Sequence, residues 1–232
     1  IREFASRKDI IKANLSNLST AAACGMWGAT SVSTTLLGSA KAGIHVFVTG
    51  GTGGVHRGFD VNMDISSDLT AMSRYQAVVV SSGVKSLLNV EATLQRFETL
   101  GIPVIGYKTD RFPVFFTRES PYPVDKRVER AEEIADVYLA HRSLGMSSSL
   151  LAANPVPEEN SLTDEMVRNA LEKAEKCMEN NPEIRGRAVT PYLLQKMNEI
   201  TGGKTLEANL SLIRNNAVLG ADIAKEVAKK IS

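Results

Sequence analysis

The sequence predicts an α/β protein: a single α/β/α layered domain over residues 1–232, built on a mostly parallel or mixed central sheet. Three observations carry the prediction. The runs Ile44-His45-Val46-Phe47-Val48 and Ala77-Val78-Val79-Val80 are largely apolar and β-branched, as in strands covered on both faces. Amphipathic segments with helical spacing stand between such runs. Strands that alternate with helices stack into layers around a sheet. A chain of 232 residues can bury one sizeable core, and no internal repeat or low-complexity tract divides it.

Taken in order, residues 1–14 carry mixed charge, and 15–28 are rich in Ser, Ala and Gly and read as a loop with a helical turn. Residues 29–42 form a predicted helix of small side chains, ended by Gly43 in the left-handed position. The strand 44–48 follows and runs into a glycine loop. Ser66 and Ser67 are candidate caps for a short helix through Ser73. After the strand 77–80, residues 81–85 open a turn or helix. A helix over 91–100 stops at Gly101, a strand covers 103–107, and 112–117 reads as another. Residues 124–144 have apolar side chains on helical spacing up to Gly145, and the strand 150–154 is broken by Pro155 and Pro157. Thr163 caps a helix to about Met178, with Asp164 and Glu165 at its positive end. Thr190 and Pro191 read as cap and first position of a helix that stops at Gly202-Gly203, and Thr205 caps a last helix to Lys230.

Composition narrows the function. The 27 basic residues nearly balance 26 acidic ones, so no electrostatic footprint for nucleic acid or a membrane surface exists. No apolar run approaches the ~18 residues of a spanning helix. Cys24 and Cys177 make neither a disulfide framework nor a zinc pattern. A reducing, cytoplasmic setting and a small-molecule substrate are the expectation.

The chemistry centres on Thr49-Gly50-Gly51-Thr52-Gly53-Gly54-Val55-His56-Arg57-Gly58. Glycines at the end of a strand expose consecutive N–H groups, a concave site that suits a phosphate, and Arg57 can clamp an anion. The same pattern also serves as a tight structural turn, and no Gly-Lys-Ser/Thr follows to make it a nucleotide P-loop. Lys85 stands after a glycine at the end of a hydrophobic strand, the edge where such folds place ligands. Desolvation there would raise its fraction of neutral amine, the form that attacks a carbonyl; an ordinary surface lysine is the other reading. Asp60, Asp64 and Asp68 can supply oxygen ligands to Mg²⁺ or Mn²⁺, or serve as caps and a solvated acid. His56 can be a base, a phosphate partner, a ligand or a structural histidine. His45 and His141 read as structural, His141 on the polar side of its helix.

Together these segments resemble the pseudouridine-5'-phosphate glycosidase family, also called the indigoidine synthase A family. The resemblance rests on the glycine loop, then Met63-Asp64-Ile65-Ser66-Ser67-Asp68-Leu69 and Ser82-Gly83-Val84-Lys85-Ser86. It continues through Gly106-Tyr107-Lys108-Thr109-Asp110, Ala153-Asn154-Pro155-Val156-Pro157, Thr190-Pro191-Tyr192-Leu193-Leu194 and Glu199-Ile200-Thr201-Gly202-Gly203. Ala208-Asn209-Leu210 and Asn215-Asn216-Ala217 close it.

The resemblance implies a reversible reaction in which pseudouridine 5'-phosphate and water give uracil and ribose 5-phosphate. The bond cleaved joins two carbons, so the two-carboxylate route of ordinary glycosidases does not transfer. The family opens the ribose and joins C1′ to a lysine as an imine, and Lys85 matches that lysine. Asp64 matches a metal-binding aspartate, with Mn²⁺ or another divalent cation whose other ligands are mainly water. Ser66, Ser67 and Asp68 match a substrate-contacting segment, Val32 a substrate-lining position, and Thr49 and Asn209 the phosphate end. His56 is expected to position substrate or water. A homotrimer is expected from the same resemblance. Relative to the family the chain is expected to be N-terminally incomplete: no Glu-Ser-Thr motif, whose glutamate is the family's proton donor, precedes Ile1. The family's phosphate-binding lysine falls near Phe4, with Arg2 as a substitute, beside Ser6-Arg7-Lys8-Asp9. The alternative is a homologue without turnover that binds a sugar phosphate or stabilises a partner chain.

Overall fold

Val78, Val79 and Val80 are fully buried, and they divide two cores between them. Successive side chains of a strand point to opposite faces. Val79 accordingly joins Leu151, Ala153 and Val104 in one apolar cluster, while Val78 and Val80 join Leu150, Ala152 and Ile105 in the other. This is the sandwich expected when a sheet is covered on both sides. The computed structural model describes residues 2–7, 9–181, 183–184 and 188–231.

The chain opens with α1 (Arg2–Ser6), β1 (Ile11–Ala13), α2 (Leu18–Ala23), β2 (Gly28–Thr30) and α3 (Val32–Lys41). Next come β3 (Val46–Val48), β4 (Val55–His56), α4 (Phe59–Asn62), α5 (Ser67–Arg74), β5 (Val78–Ser81), β6 (Leu88–Asn89) and α6 (Val90–Thr99). The second half holds β7 (Val104–Tyr107), β8 (Lys126–Val128), α7 (Ala131–Ser143), β9 (Leu150–Ala153), a 3₁₀ turn (Glu158–Asn160), α8 (Asp164–Glu179), α9 (Val189–Ile200) and α10 (Lys204–Ile231). The main sheet has five strands in the order β3-β5-β9-β7-β8, and every pairing in it is parallel. Two small two-stranded sheets, β1-β2 and β4-β6, flank it. The first core lies under α3, α5, α6, α8 and α9, and contributions from α7 and α10 close the second. Helix α10 lies very close to β3. A Cβ on Gly220 would stand 2.3 Å from Val48 Cγ2.

Local signals account for most boundaries. Gly43 takes φ of 68° after α3, Ser66 caps α5 by accepting from the Asp68 N–H, and Thr163 caps α8 by accepting from the Met166 N–H. The differences also have physical reasons. The helix expected over 29–42 starts at Val32, because residues 28–30 pair with β1 instead. The helix expected from 124 starts at Ala131, because Lys126–Val128 adds to the sheet edge beside β7. Residues 112–117 form no strand: Val114 and Thr117 close a tight turn on each other, and Phe115 N–H reaches the Ser82 carbonyl. Pro191 lies two residues inside α9 rather than at its first position. Thr205 lies inside α10, sharing hydrogen bonds with Thr201 and Asn198. His141 is buried, not on a polar face, and its Nε2 meets Ser148 Oγ at 2.9 Å. His45 is held by Tyr138 through its Nδ1 at 3.0 Å. No helix among the described residues is long and apolar enough to cross a membrane.

Candidate active site

The glycine loop is fastened to the segment after β5. Ser82 N–H donates to Gly50 O (2.9 Å), Thr52 N–H to Gly83 O (3.0 Å) and Lys85 N–H to Thr52 O (3.2 Å). Gly83, at φ of 74°, allows this: a Cβ there would meet the Pro113 carbonyl oxygen at 1.8 Å, and only glycine adopts that backbone readily. Lys85 therefore emerges beside the loop at the carboxyl end of the sheet, where parallel folds bind ligands.

Asp68, at the start of α5, is buried. Its Oδ1 accepts from Ser33 N–H at 3.0 Å and its Oδ2 from Gly53 N–H at 2.9 Å. Ser67 Oγ donates to Ser33 Oγ at 3.1 Å. The beginnings of α3 and α5 and the glycine loop are thus locked together. Gly53 N–H is spent on Asp68, and Val55 N–H is spent on Thr93 Oγ1. The run of consecutive free donors expected from the glycines is therefore interrupted.

His56 and Asp64 approach from β4 and the loop after α4. His56 N–H donates to the Asp64 carbonyl at 3.0 Å, and His56 Nδ1 lies 3.8 Å from Asp64 Oδ2. The Asp64 side chain is 45% exposed, so its carboxylate can meet a ligand from solvent.

One cleft of about 880 Å³ gathers these groups. Val32, Thr49, His56, Asp64, Ser66, Ser67, Asp68, Lys85 and Asn209 all line it. Residues far apart in sequence are brought together by the two parallel strands β3 and β5, the small β4-β6 sheet and the long helix α10. Burial pushes the Lys85 amine below its ordinary pKa, the Asp68 carboxylate opposes this, and the positive charge of Lys12 adds to it. Burial also pushes His56 down, against the pull of Asp64 and with the help of Lys85 and Lys12. Asn209 Oδ1 and the Thr52 hydroxyl are buried without a partner among the described residues, and such atoms call for an explanation, a ligand being one.

Other sequence-derived candidates fall elsewhere. Arg57 is exposed and lines a neighbouring cleft with Glu175 and Met178, so it does not clamp a ligand in the main one. Asp60 is exposed on α4 and Asp68 is engaged with backbone, so the three aspartates do not converge. Among the described residues no group of three His, Cys, Asp or Glu side chains is placed to hold a metal. Phe4 meets the Trp27 ring at a tilt and Arg7 lies over that ring, and neither lines the cleft; the Arg2 side chain lies outside the described residues. The cleft's second lysine is Lys12 on β1. Its only signal in the sequence is a basic residue in a short mixed-charge stretch.

The Indigoidine synthase A like protein family model matches residues 1–226. A pseudouridine-5'-phosphate glycosidase of Geobacillus kaustophilus is 42% identical over 228 residues, covering 98% of this chain and 75% of that protein. One from Staphylococcus aureus is 43% identical, covering 97% of this chain and 73% of that protein. Among solved structures, an indigoidine synthase A-like protein of Thermotoga maritima superposes with a TM-score of 0.88 at 43% identity, over 96% of this chain and 73% of that one. The prealnumycin C-glycosynthase AlnA, in complex with ribulose 5-phosphate, superposes with a TM-score of 0.89 at 33% identity, over 100% of this chain and 76% of that one. The chain belongs to the indigoidine synthase A-like, or pseudouridine-5'-phosphate glycosidase, family. It spans about three quarters of the length of these relatives.

Proposed function

We propose that the chain is a pseudouridine-5'-phosphate glycosidase that cleaves and reforms the C–C bond between ribose 5-phosphate and uracil. The observation that carries this is the presence of a lysine with a depressed pKa in the same cleft as Asp64, His56, Asn209 and the glycine loop. The relatives' names and the ribulose 5-phosphate bound by AlnA support it.

In this reading the ring opens as the C1′–O4′ bond breaks, O4′ takes a proton and a C1′=C5 double bond conjugated with the uracil forms. The neutral Lys85 amine then adds to C1′, that double bond's electrons return to the uracil ring, and the added nitrogen loses a proton. Its nitrogen lone pair then forms a C1′=N bond as the C1′–C5 bond breaks, and C5 of uracil takes a proton. Water hydrolyses the imine, releasing ribose 5-phosphate and the amine. Thr49, Asn209 and Lys12 bind the phosphate end. Ser66, Ser67 and Val32 line the sugar, Asp68 orders the loop, and His56 orients substrate or water. Asp64 fits a small divalent cation such as Mn²⁺, because such ions are often held by one or two carboxylates with water completing the shell; a bound cation would supply positive charge to the cleft. The same reading includes a homotrimer. Leu206, Leu210 and Val218 on α10, which are 51%, 49% and 65% exposed, are available for self-association.

The test is incubation with ribose 5-phosphate and Mn²⁺, reduction with borohydride, and mapping of the adduct, alongside release of uracil from pseudouridine 5'-phosphate. An adduct on Lys85 with uracil release is expected. Absence of the adduct, or its persistence in Lys85→Ala, would refute the mechanism. A second reading rests on one observation: the cleft's carboxylates among the described residues are Asp64 and Asp68, and no glutamate lines it. A sugar-phosphate-binding homologue would form the adduct from ribose 5-phosphate and release no uracil.

A further inference from the structure

Asn216 lies on α10 and has no exposed surface. Its side chain meets the ends of three neighbouring strands at once. Nδ2 donates to the Thr49 carbonyl just past β3 at 2.9 Å and to Ser82 Oγ just past β5 at 3.2 Å. Oδ1 accepts from Asn154 Nδ2 just past β9 at 2.9 Å, and the Ser82 hydroxyl also lies 3.4 Å from it. An amide has two donor hydrogens and two acceptor lone pairs, and here both ends are engaged. The pattern fixes which way the amide points, since a reversed amide would aim oxygen at the Thr49 carbonyl.

The helix carries this anchor to the cleft. Asn209 lies seven residues earlier, two turns along the same face and about 10 Å away along the axis. Between them Leu212 and Ile213 are packed against the loop: a Cβ on Gly50 would meet Leu212 Cδ1 at 3.1 Å, Ile213 Cγ1 at 3.2 Å and Asn209 Oδ1 at 3.3 Å. Gly50 therefore faces Asn209 across a contact with little slack, and its neighbour Thr49 is tied to the same helix by the Asn216–Thr49 bond. Interiors packed at this density transmit displacements of a few tenths of an ångström.

We propose that Asn216 is a positioning residue for the phosphate end of the cleft: it sets the separation of Thr49–Gly50 from Asn209 and so governs affinity for the sugar phosphate, without touching it. The proposal rests on the functional reading above. It predicts loss of ground-state binding rather than of the bond-breaking step, a pattern in which KM rises and kcat is kept.

The experiment titrates ribose 5-phosphate calorimetrically into the full chain and into Asn216→Asp and Asn216→Ala, with thermal unfolding of each and the rate of borohydride-trapped adduct at saturating sugar phosphate. Asn216→Asp keeps the shape, removes both donors and sets a carboxylate against the Thr49 carbonyl. The dissociation constant is expected to rise about tenfold or more, the order of one or two lost hydrogen bonds, while the saturated trapping rate stays within about twofold. A lower melting temperature with an unchanged dissociation constant would show a structural residue only and overturn the proposal. So would a fall in the saturated rate at unchanged affinity. If neither variant folds, Asn154→Ala keeps Asn216 and removes one partner that orients it; affinity is then expected to weaken about threefold, and no change overturns the proposal. Absence of ribose 5-phosphate binding by the unaltered chain refutes the functional reading itself, and the positioning role with it.

Discussion

Gly53 and Asp68 are joined at the head of the cleft, the glycine N–H donating to Asp68 Oδ2 at 2.9 Å. The same contact forbids a side chain. A Cβ on Gly53 would stand 2.6 Å from that oxygen and 2.2 Å from Ser66 Oγ. Gly53→Ala is expected to push the α5 cap away from the loop, costing about 1–3 kcal/mol of stability as overpacking does. Adduct formation at Lys85 should fall about 100-fold, since ångström-scale misplacement in a site can cost that much. Urea unfolding and the trapping rate, measured on one preparation, check both.

Lys85 has a linked signature. Its folded pKa lies below its unfolded value of about 10.4, so the unfolded chain binds more protons and stability rises with pH between the two. Below the folded pKa the full cost of burying the charge is present. Lys85→Met is therefore expected to abolish the adduct and yet raise the melting temperature at pH 7. That gain should shrink as pH approaches about 10.4. Melting scans of both proteins from pH 6 to pH 10 test this, and a variant less stable than the parent at pH 7 would contradict it.

Thr52 is fully buried and its hydroxyl has no partner among the described residues. Thr52→Val keeps the branched shape and removes the unpaired group. A stabilisation of about 1 kcal/mol is expected, the lower part of the desolvation cost of such a group. Denaturant midpoints measure it. If the hydroxyl instead meets a bound ligand, the gain should vanish in saturating ribose 5-phosphate.

Asp64 is half-exposed and contributes little to the core. Asp64→Asn should leave the melting temperature within about 2 °C of the parent, as expected of a surface change. Binding of Mn²⁺, read from the loss of its free spin-resonance signal, should weaken about tenfold or more. Chelation of the parent enzyme should lower uracil release and leave the fold intact.

The parts of this molecule that were legible in sequence are those where one local force dominates. Ala77–Val80 announces a central strand because both of its faces are covered, and Gly43 announces a helix end because its backbone is left-handed. The convergence of Thr49, Asp64, Lys85 and Asn209 was legible only through several motifs in a fixed order. No periodicity places Asn209 beside Gly50. Lys126–Val128 reads as the start of a helix in the sequence because an edge strand with exposed charges has no apolar alternation to show. The strand of Gly28–Thr30 depends on a partner, Ile11–Ala13, that is itself three residues long. Lys12 carries no signal of its own for the same reason: it reaches the cleft from that short pairing.

Helix α10 sets an order of events for the nascent chain. The glycine loop, the α5 cap and Lys85 emerge from the ribosome before Asn209 and Asn216, which lie further along the chain on α10. At about 5–20 residues per second, the α10 wall of the cleft arrives on the order of ten seconds after the lysine. Until then the Thr49 carbonyl lacks its Asn216 partner, and Gly50 lacks the cover of Leu212 and Ile213. The Thr49–Gly50 side of the cleft is therefore completed only once α10 has been made and has docked.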